Sequence, residues 1–319
     1  MKTDFRKLHL VIGAGGTRAF LTGMGAVTAL RLSGLQNWAT IGGVSGGSIP
    51  ALFMAAGLSP IDLIDRLLDI DFRNLLRSSS DGVDEMEPGP RARHFFTRWM
   101  HRGALHTDRL GQVIESIVKE WPENFWTMAV SDKSHVLFTS QGVFEYGFDG
   151  SYEQISEEPA PICLAIRATC AIPGLLEAVH YKGRYLWDGG MSPFGGCPVD
   201  WVRRHFLAES DTIVRCRAIG KVEVRDDWVA RLGRRLLCSG SNRVEAQSNS
   251  IADINIVPQV PEFSSLRFSL TPEQKKLGLF AGFRAACEEL FANGILEGEH
   301  KLLAACGFDD LSRLARQHA

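Results

Sequence analysis

The chain has 319 residues, 45% of them hydrophobic and 23% charged, with 35 Lys and Arg against 37 Asp and Glu for a net charge of −2. A chain of that size and polarity can bury its own core without disulfides or metals. Its charge balance excludes the whole-molecule basic field used by nucleic-acid binders, and no run reaches the roughly 18 apolar residues of a membrane span.

Charged residues from Met1 to Lys7 run directly into Leu8-His9-Leu10-Val11-Ile12, too short an apolar stretch for a signal peptide and the right length for a strand. Gly13 to Gly16 is a turn. Thr17 to Leu32 has helical spacing in Phe20, Met24, Val27 and Leu30. A second strand at Thr40–Val44 meets Ser45-Gly46-Gly47, and a small-residue helix follows over Ile49–Ala56. Strand, glycine turn and helix, twice over, predict a parallel α/β sheet.

Ile61 to Leu76 is predicted as one amphipathic helix. Ser78 to Pro90 is loop chemistry. Strands are predicted at Thr127–Val130, Val136–Thr139, Val143–Tyr146, Tyr185–Trp187, Thr212–Arg217 and Ile254–Val257, and helices at Pro161–Thr169, Trp228–Ser239, Thr271–Phe291 and Ile295–Arg316. No repeat or long linker divides the chain. The expected organisation is one α/β domain over 1–319, with a catalytic core at 8–200, a flexible cap or lid at 77–105 and a helical C-terminal part at 262–319.

Seven cysteines, at 163, 170, 197, 216, 238, 287 and 306, show no C-x-x-C spacing and are odd in number. Zinc sites and a secreted disulfide framework are therefore poorly supported. Reduced thiols in a cytoplasmic protein are the expectation.

Gly43-Val44-Ser45-Gly46-Gly47 fits G-x-S-x-G between a strand and a helix. On so sharp a turn glycines leave room for an exposed serine hydroxyl at the positive end of a helix, which suits a nucleophile. The alternative is a glycine-rich helix start with Ser45 as its N-cap.

Gly13-Ala14-Gly15-Gly16-Thr17-Arg18 also lies between a strand and a helix. A dinucleotide site would want glycine where Arg18 stands and an acid in the next strand, and residues 31–44 contain no acid. An oxyanion hole from the Gly15 and Gly16 amides fits better, with Arg18 fixing the loop or adding positive charge.

No histidine after Ser45 sits in a glycine-framed turn behind a strand, where a triad histidine would be displayed. Trp187-Asp188-Gly189-Gly190 does follow a short strand, and a carboxylate there could reach a serine directly; an Asp-Gly hairpin turn explains the same residues. Arg91 to Arg102 is basic and aromatic. If it is helical, Phe95, Phe96, Trp99 and Met100 form one stripe, suited either to a membrane surface or to packing as a cap.

The three glycine motifs, in this order, resemble those of the patatin-like phospholipases. Arg167-Ala168-Thr169-Cys170-Ala171-Ile172-Pro173-Gly174 and Gly183 to Gly190 are similar to that family's approach to its aspartate, so the likeness covers roughly residues 8 to 200. It implies an α/β fold with a mostly parallel central sheet flanked by helices in three layers. It implies a Ser45–Asp188 dyad, with Gly43, Gly46 and Gly47 shaping the nucleophile turn and Gly189 and Gly190 the aspartate turn.

The chemistry so implied is acyl-lipid ester hydrolysis through an acyl-enzyme, with no metal or organic cofactor. The expected partners are a phospholipid or other acyl lipid and a transient membrane surface; nucleic acid is not expected and no protein activator is indicated. An α/β-hydrolase triad using a histidine and a nucleotide-binding module built on the Gly13–Arg18 loop stay open. The sequence departs from the family at Ala14 and Ala19, where glycines are common and either alanine would object to a positive φ. It also departs at Met191-Ser192-Pro193, where an asparagine usually precedes the proline.

Overall fold

A computed structural model describes residues 7–35, 37–78, 103, 105–192, 196–206, 211–218, 252–260, 265–296, 307, 311–313 and 316. In chain order the elements are β1 (Leu8–Ile12), α1 (Gly16–Leu32), β2 (Trp38–Gly43), a 3-10 turn at Ser45–Gly47, α2 (Ser48–Ala55), α3 (Pro60–Asp69), α4 (Phe72–Leu75), β3 (Arg77–Ser78), β4 (Leu105–His106), α5 (Asp108–Ile117), β5 (Phe125–Val130), β6 (Ser134–Thr139), β7 (Gly142–Gly147), β8 (Tyr152–Ser156), α6 (Ile162–Thr169), β9 (Val179–Tyr181), β10 (Arg184–Leu186), a second 3-10 turn at Gly189–Met191, α7 (Val199–Phe206), β11 (Thr212–Cys216), β12 (Ile254–Ile256) and α8 (Pro272–Ala292).

All five residues of β1 are buried. Leu10 and Ile12 pack on one face with α1, α2 and α8, while Val11 packs on the other with Trp201 and Val202 of α7. A strand covered on both faces reads as a continuous apolar run, which is why this one was legible without alternation. Among the described residues the main sheet runs β12-β11-β1-β2-β5-β6-β7-β8. Pairing is parallel from β12 to β5 and antiparallel from β5 to β8. The fold is therefore α/β, with helices on both faces of a mixed, mostly parallel sheet. The chain leaves β1 toward β2 and later returns to its other side as β11. In open α/β sheets such a reversal of order, at the carboxyl ends of the strands, is where ligands bind.

Helix α1 is buried nearly all round, as befits a helix wedged between sheet and a second helix. Its backbone touches α8: a Cβ on Gly25 would lie 1.8 Å from Leu279 O, and one on Gly282 1.9 Å from Thr22 O. Helices α3 and α8 begin alike, at Ser59-Pro60 and Thr271-Pro272, each with a capping box closed by Asp62 or Gln274. The pre-set φ of proline at the first helical position and the cap hydroxyl both favour a helix start there.

Where a single helix over Ile61–Leu76 was expected, the chain breaks at Ile70, whose backbone is extended. The ammonium of Lys275, 205 residues on, reaches the carbonyls of Leu68, at 2.7 Å, and Ile70, satisfying the end of α3 from outside. Strand β8 was not anticipated, because Tyr152, Glu153 and Gln154 are exposed on an outer strand and leave no apolar pattern. Expected helices at Trp228–Ser239 and over most of Ile295–Arg316 lie outside the described residues, as does most of the expected lid. No helix among the described residues is long and apolar enough to cross a membrane.

Candidate active site

At the carboxyl end of β2 the backbone turns sharply. Val44 is still extended, and Ser45 then takes φ +54, one of two non-glycine residues with positive φ among those described. The left-handed region costs an L-residue of order 1 kcal/mol or more, so its neighbours must hold it there. Val44 N donates to Ile12 O at 3.0 Å, and Gly47 N to Val44 O at 3.0 Å. Ser45 N donates to Thr169 Oγ1 at 2.9 Å, and Ser48 Oγ donates to Ser45 O at 2.6 Å.

The surrounding glycines are required by close approach. A Cβ on Gly46 would lie 2.1 Å from Gly16 O, one on Gly47 2.4 Å from Gly13 O, and one on Gly43 2.4 Å from Gly47 O. The turn after β2 thus rests directly on the turn after β1.

Asp188 follows β10 and opens the second 3-10 turn. Trp187 is clamped to the end of β5 by two bonds with Val130, and Asp188 N donates to Ala171 O at 2.9 Å. Its carboxylate points two ways. Oδ1 accepts from Gly190 N at 2.7 Å, and Oδ2 accepts from Ser45 Oγ at 2.6 Å. Ser45 is 4% exposed and Asp188 1%. Burial pushes the Asp188 carboxyl up to about 7, against the opposing pull of the Ser45 hydroxyl and the Gly190 amide, since an ion is costly in a medium it cannot polarise.

Three amides of the loop after β1 are spent: Gly13 N on Cys216 O, Ala14 N on Gly196 O and Thr17 N on Ser265 O. Those of Gly15 and Gly16 have no acceptor among the described residues, nor does that of Gly46. Ala14 and Ala19 do not take a positive φ, so the departure from glycine is tolerated. The Ala14 methyl instead fills space left by Gly190 and Gly196, where an added Cβ would lie 2.8 and 3.1 Å from it. Arg18 ties the loop down, its Nη2 donating to Ser265 Oγ. The Ser265 carbonyl, 2.9 Å from Thr17 N, sits over the first turn of α1. A nucleotide phosphate would need that place.

The described histidines lie elsewhere. His9 contacts Thr40 and Asp211, His106 contacts Glu177, and His135 contacts Ser192 at 2.7 Å. His180 packs on Tyr185, and His205 on Tyr146 and Trp201. None hydrogen-bonds Ser45 or Asp188. His94, His101, His300 and His318 lie outside the described residues, together with Phe95, Phe96, Trp99 and Met100.

The fold brings Ser45, Asp188, the elbow glycines and the Gly15–Arg18 loop to one place. Thr169 and Ser265 touch that place from far along the chain and lie in no glycine pattern, so the sequence carries no signal for them. His106, Asp108 and Glu177 form the one cluster of metal-ligating side chains found among the described residues. Arg167 already bonds both carboxylates, at 3.0 and 2.7 Å, and fills the role a cation would have.

A sequence model described as Patatin-like phospholipase matches residues 10–199. An uncharacterized protein, R571, from Acanthamoeba polyphaga mimivirus is 22% identical over 270 residues, covering 80% of this chain and 84% of that protein. The crystal structure of VipD from Legionella pneumophila aligns over 90% of this chain with a TM-score of 0.49 and 15% identity, and the chain spans 66% of that structure's length.

Proposed function

The chain belongs to the patatin-like phospholipase family, which makes it a hydrolase of acyl esters, and from that premise we propose that it cleaves lipid carboxylic esters with Ser45 as nucleophile and Asp188 as base. The observation that carries this reading is the 2.6 Å bond from Ser45 Oγ to Asp188 Oδ2 in a buried turn where no histidine is bonded to either residue among those described.

Ser45 Oγ attacks the ester carbonyl carbon while its proton passes to Asp188 Oδ2. The carbonyl oxygen, now negative, takes hydrogen bonds from the Gly15 and Gly16 amides, with the Gly46 amide a further donor the sequence did not single out. Collapse expels the alcohol oxygen, which carries off the proton from Asp188 and leaves the acyl group on Ser45. Water then gives a proton to Asp188 and attacks the acyl carbon. Ser45 Oγ leaves, and the carboxyl returns the proton to it. A carboxyl raised to about 7 is suited to both transfers near neutral pH. Each oxyanion donor contributes on the order of 3 kcal/mol in comparable sites.

Phospholipid or another acyl lipid is the proposed substrate, and Phe95, Phe96, Trp99 and Met100 are proposed to meet the membrane. Mass spectrometry after a fluorophosphonate probe should place the adduct on Ser45, and a lipid panel should release fatty acid with wild type and none with Ser45→Ala. An adduct elsewhere, or hydrolysis by Ser45→Ala, would sink the assignment. Phe95→Ala/Trp99→Ala should lose vesicle binding and keep soluble-ester hydrolysis; equal vesicle binding rejects the membrane role.

A further inference from the structure

Thr169 ends α6 and is fully buried, and its hydroxyl is the acceptor for Ser45 N, at 2.9 Å, and the donor to Met128 O, at 2.6 Å. A hydroxyl carries one proton and two lone pairs. The carbonyl of Met128 has no proton to give, so the Thr169 proton is committed to it and a lone pair is left facing the Ser45 amide. Hydroxyl orientation is therefore fixed by the central strand β5, and the branched Cβ of threonine restricts its χ1.

Two residues on, Ala171 O accepts the Asp188 amide at 2.9 Å. Two residues of one short segment, Thr169 and Ala171, thus hold the main chain of Ser45 and of Asp188. The carbonyl of Met128 also borders the aspartate turn, since a Cβ on Gly189 would lie 2.1 Å from it. Ser45 sits at φ +54, and its N–H has no backbone acceptor. Strained conformations persist only where the surroundings over-determine them, and Thr169 supplies the restraint on the amide of Ser45.

We infer that Thr169 is the positioning residue of the Ser45–Asp188 pair: its hydroxyl pins the strained nucleophile turn to β5 at the separation from Asp188 that proton transfer needs. This rests on Ser45 being the nucleophile. Substrate need not touch Thr169, so the effect belongs in kcat and in the rate of acylation, with KM unmoved.

The test compares Thr169→Val, which keeps the shape and loses the acceptor and donor, with Thr169→Ser, which keeps both. Steady-state hydrolysis of a soluble p-nitrophenyl ester and the rate of fluorophosphonate labelling are measured per folded protein, with Leu290→Ala on α8 as a destabilised control. Thr169→Val should lower kcat and labelling roughly 10- to 100-fold, the cost of a small misplacement of reacting groups. KM should stay within about twofold, and Thr169→Ser should recover to within about threefold of wild type. If Thr169→Val folds poorly, Thr169→Ala, which leaves room for a water between the two main-chain groups, should show the same loss in smaller measure.

Wild-type kcat in both Thr169→Val and Thr169→Ala, a Thr169→Ser enzyme as slow as Thr169→Val, or an equal loss in Leu290→Ala overturns the inference. A probe adduct on a residue other than Ser45 overturns the nucleophile assignment and this inference with it. An adduct on Ser45 formed at an undiminished rate in Thr169→Val overturns this inference alone.

Discussion

The hydroxyl of Ser45 donates to the carboxylate of Asp188 at 2.6 Å across 143 positions of sequence. Each partner is delivered by a glycine turn at the end of a strand, and each turn is fixed by main-chain bonds besides the contact between the side chains. The other oxygen of Asp188 is held by Gly190 N at 2.7 Å, so the carboxylate cannot rotate away from the serine without losing a buried bond, worth about 1.5–3 kcal/mol to a charged group.

Activity should rise with pH along a single limb centred near 7, because burial raises the Asp188 carboxyl to about 7 and only the deprotonated form accepts the serine proton. The pH dependence of kcat/KM on a soluble ester checks this. A limb near the ordinary aspartate value would remove Asp188 from the role of base.

Stability should show two opposing contributions. Asp188 is raised from 3.8 to about 7 in the fold, so its contribution is fully present below the unfolded value and is lost as pH rises through about 7. His135 is lowered by burial from 6.5 to about 4, so its contribution is fully present above the unfolded value and is lost as pH falls through about 4. Between about pH 4 and 6.5 the two offset one another. Asp188→Asn should unmask the histidine and lose stability on acidification relative to wild type. His135→Gln should do the reverse. Each difference should reach on the order of 3 kcal/mol across that window, read from urea unfolding; parallel profiles for the three proteins would refute it.

Ser45→Ala and Ser45→Gly should both be inactive, yet differ in stability in an unusual direction. Glycine at an ordinary position costs about 0.5–1 kcal/mol relative to alanine. At φ +54 alanine retains the left-handed strain and glycine relieves it, so the glycine variant should be the more stable by about 1 kcal/mol. Thermal melts decide the sign.

Gly46→Ala places a methyl 2.1 Å from Gly16 O and must push the two turns apart. Under the proposed mechanism this displaces the oxyanion donors. The expected loss in kcat is on the order of 100- to 1000-fold, with a destabilisation of about 1–3 kcal/mol. Unchanged kcat would show that the Gly15–Gly16 loop does not serve the reaction.

Much of this molecule is local and could be read as such. Buried strands announce themselves by apolar runs, as Leu8–Ile12 does, and helix ends by their caps. The glycines at 43, 46 and 47 are legible because close backbone approach admits no other residue there. Strand β8 was missed because Tyr152 and Glu153 face solvent and carry no periodic signal. The break after α3 was missed because its freed carbonyls are satisfied by Lys275, and local periodicity holds no trace of a cation arriving from another helix.

Neighbouring residues alone specify the α/β class, the two strand-turn-helix units and the glycine turns that carry Ser45 and Asp188, because backbone conformation and burial periodicity are local properties. It takes the folded chain to make those side chains meet, to set Thr169 and Ser265 against their turns, and to raise the Asp188 carboxyl to about 7. Contact, desolvation and hydrogen-bond direction depend on which distant segments share one water-excluded space, and chain closure around β1 creates that space.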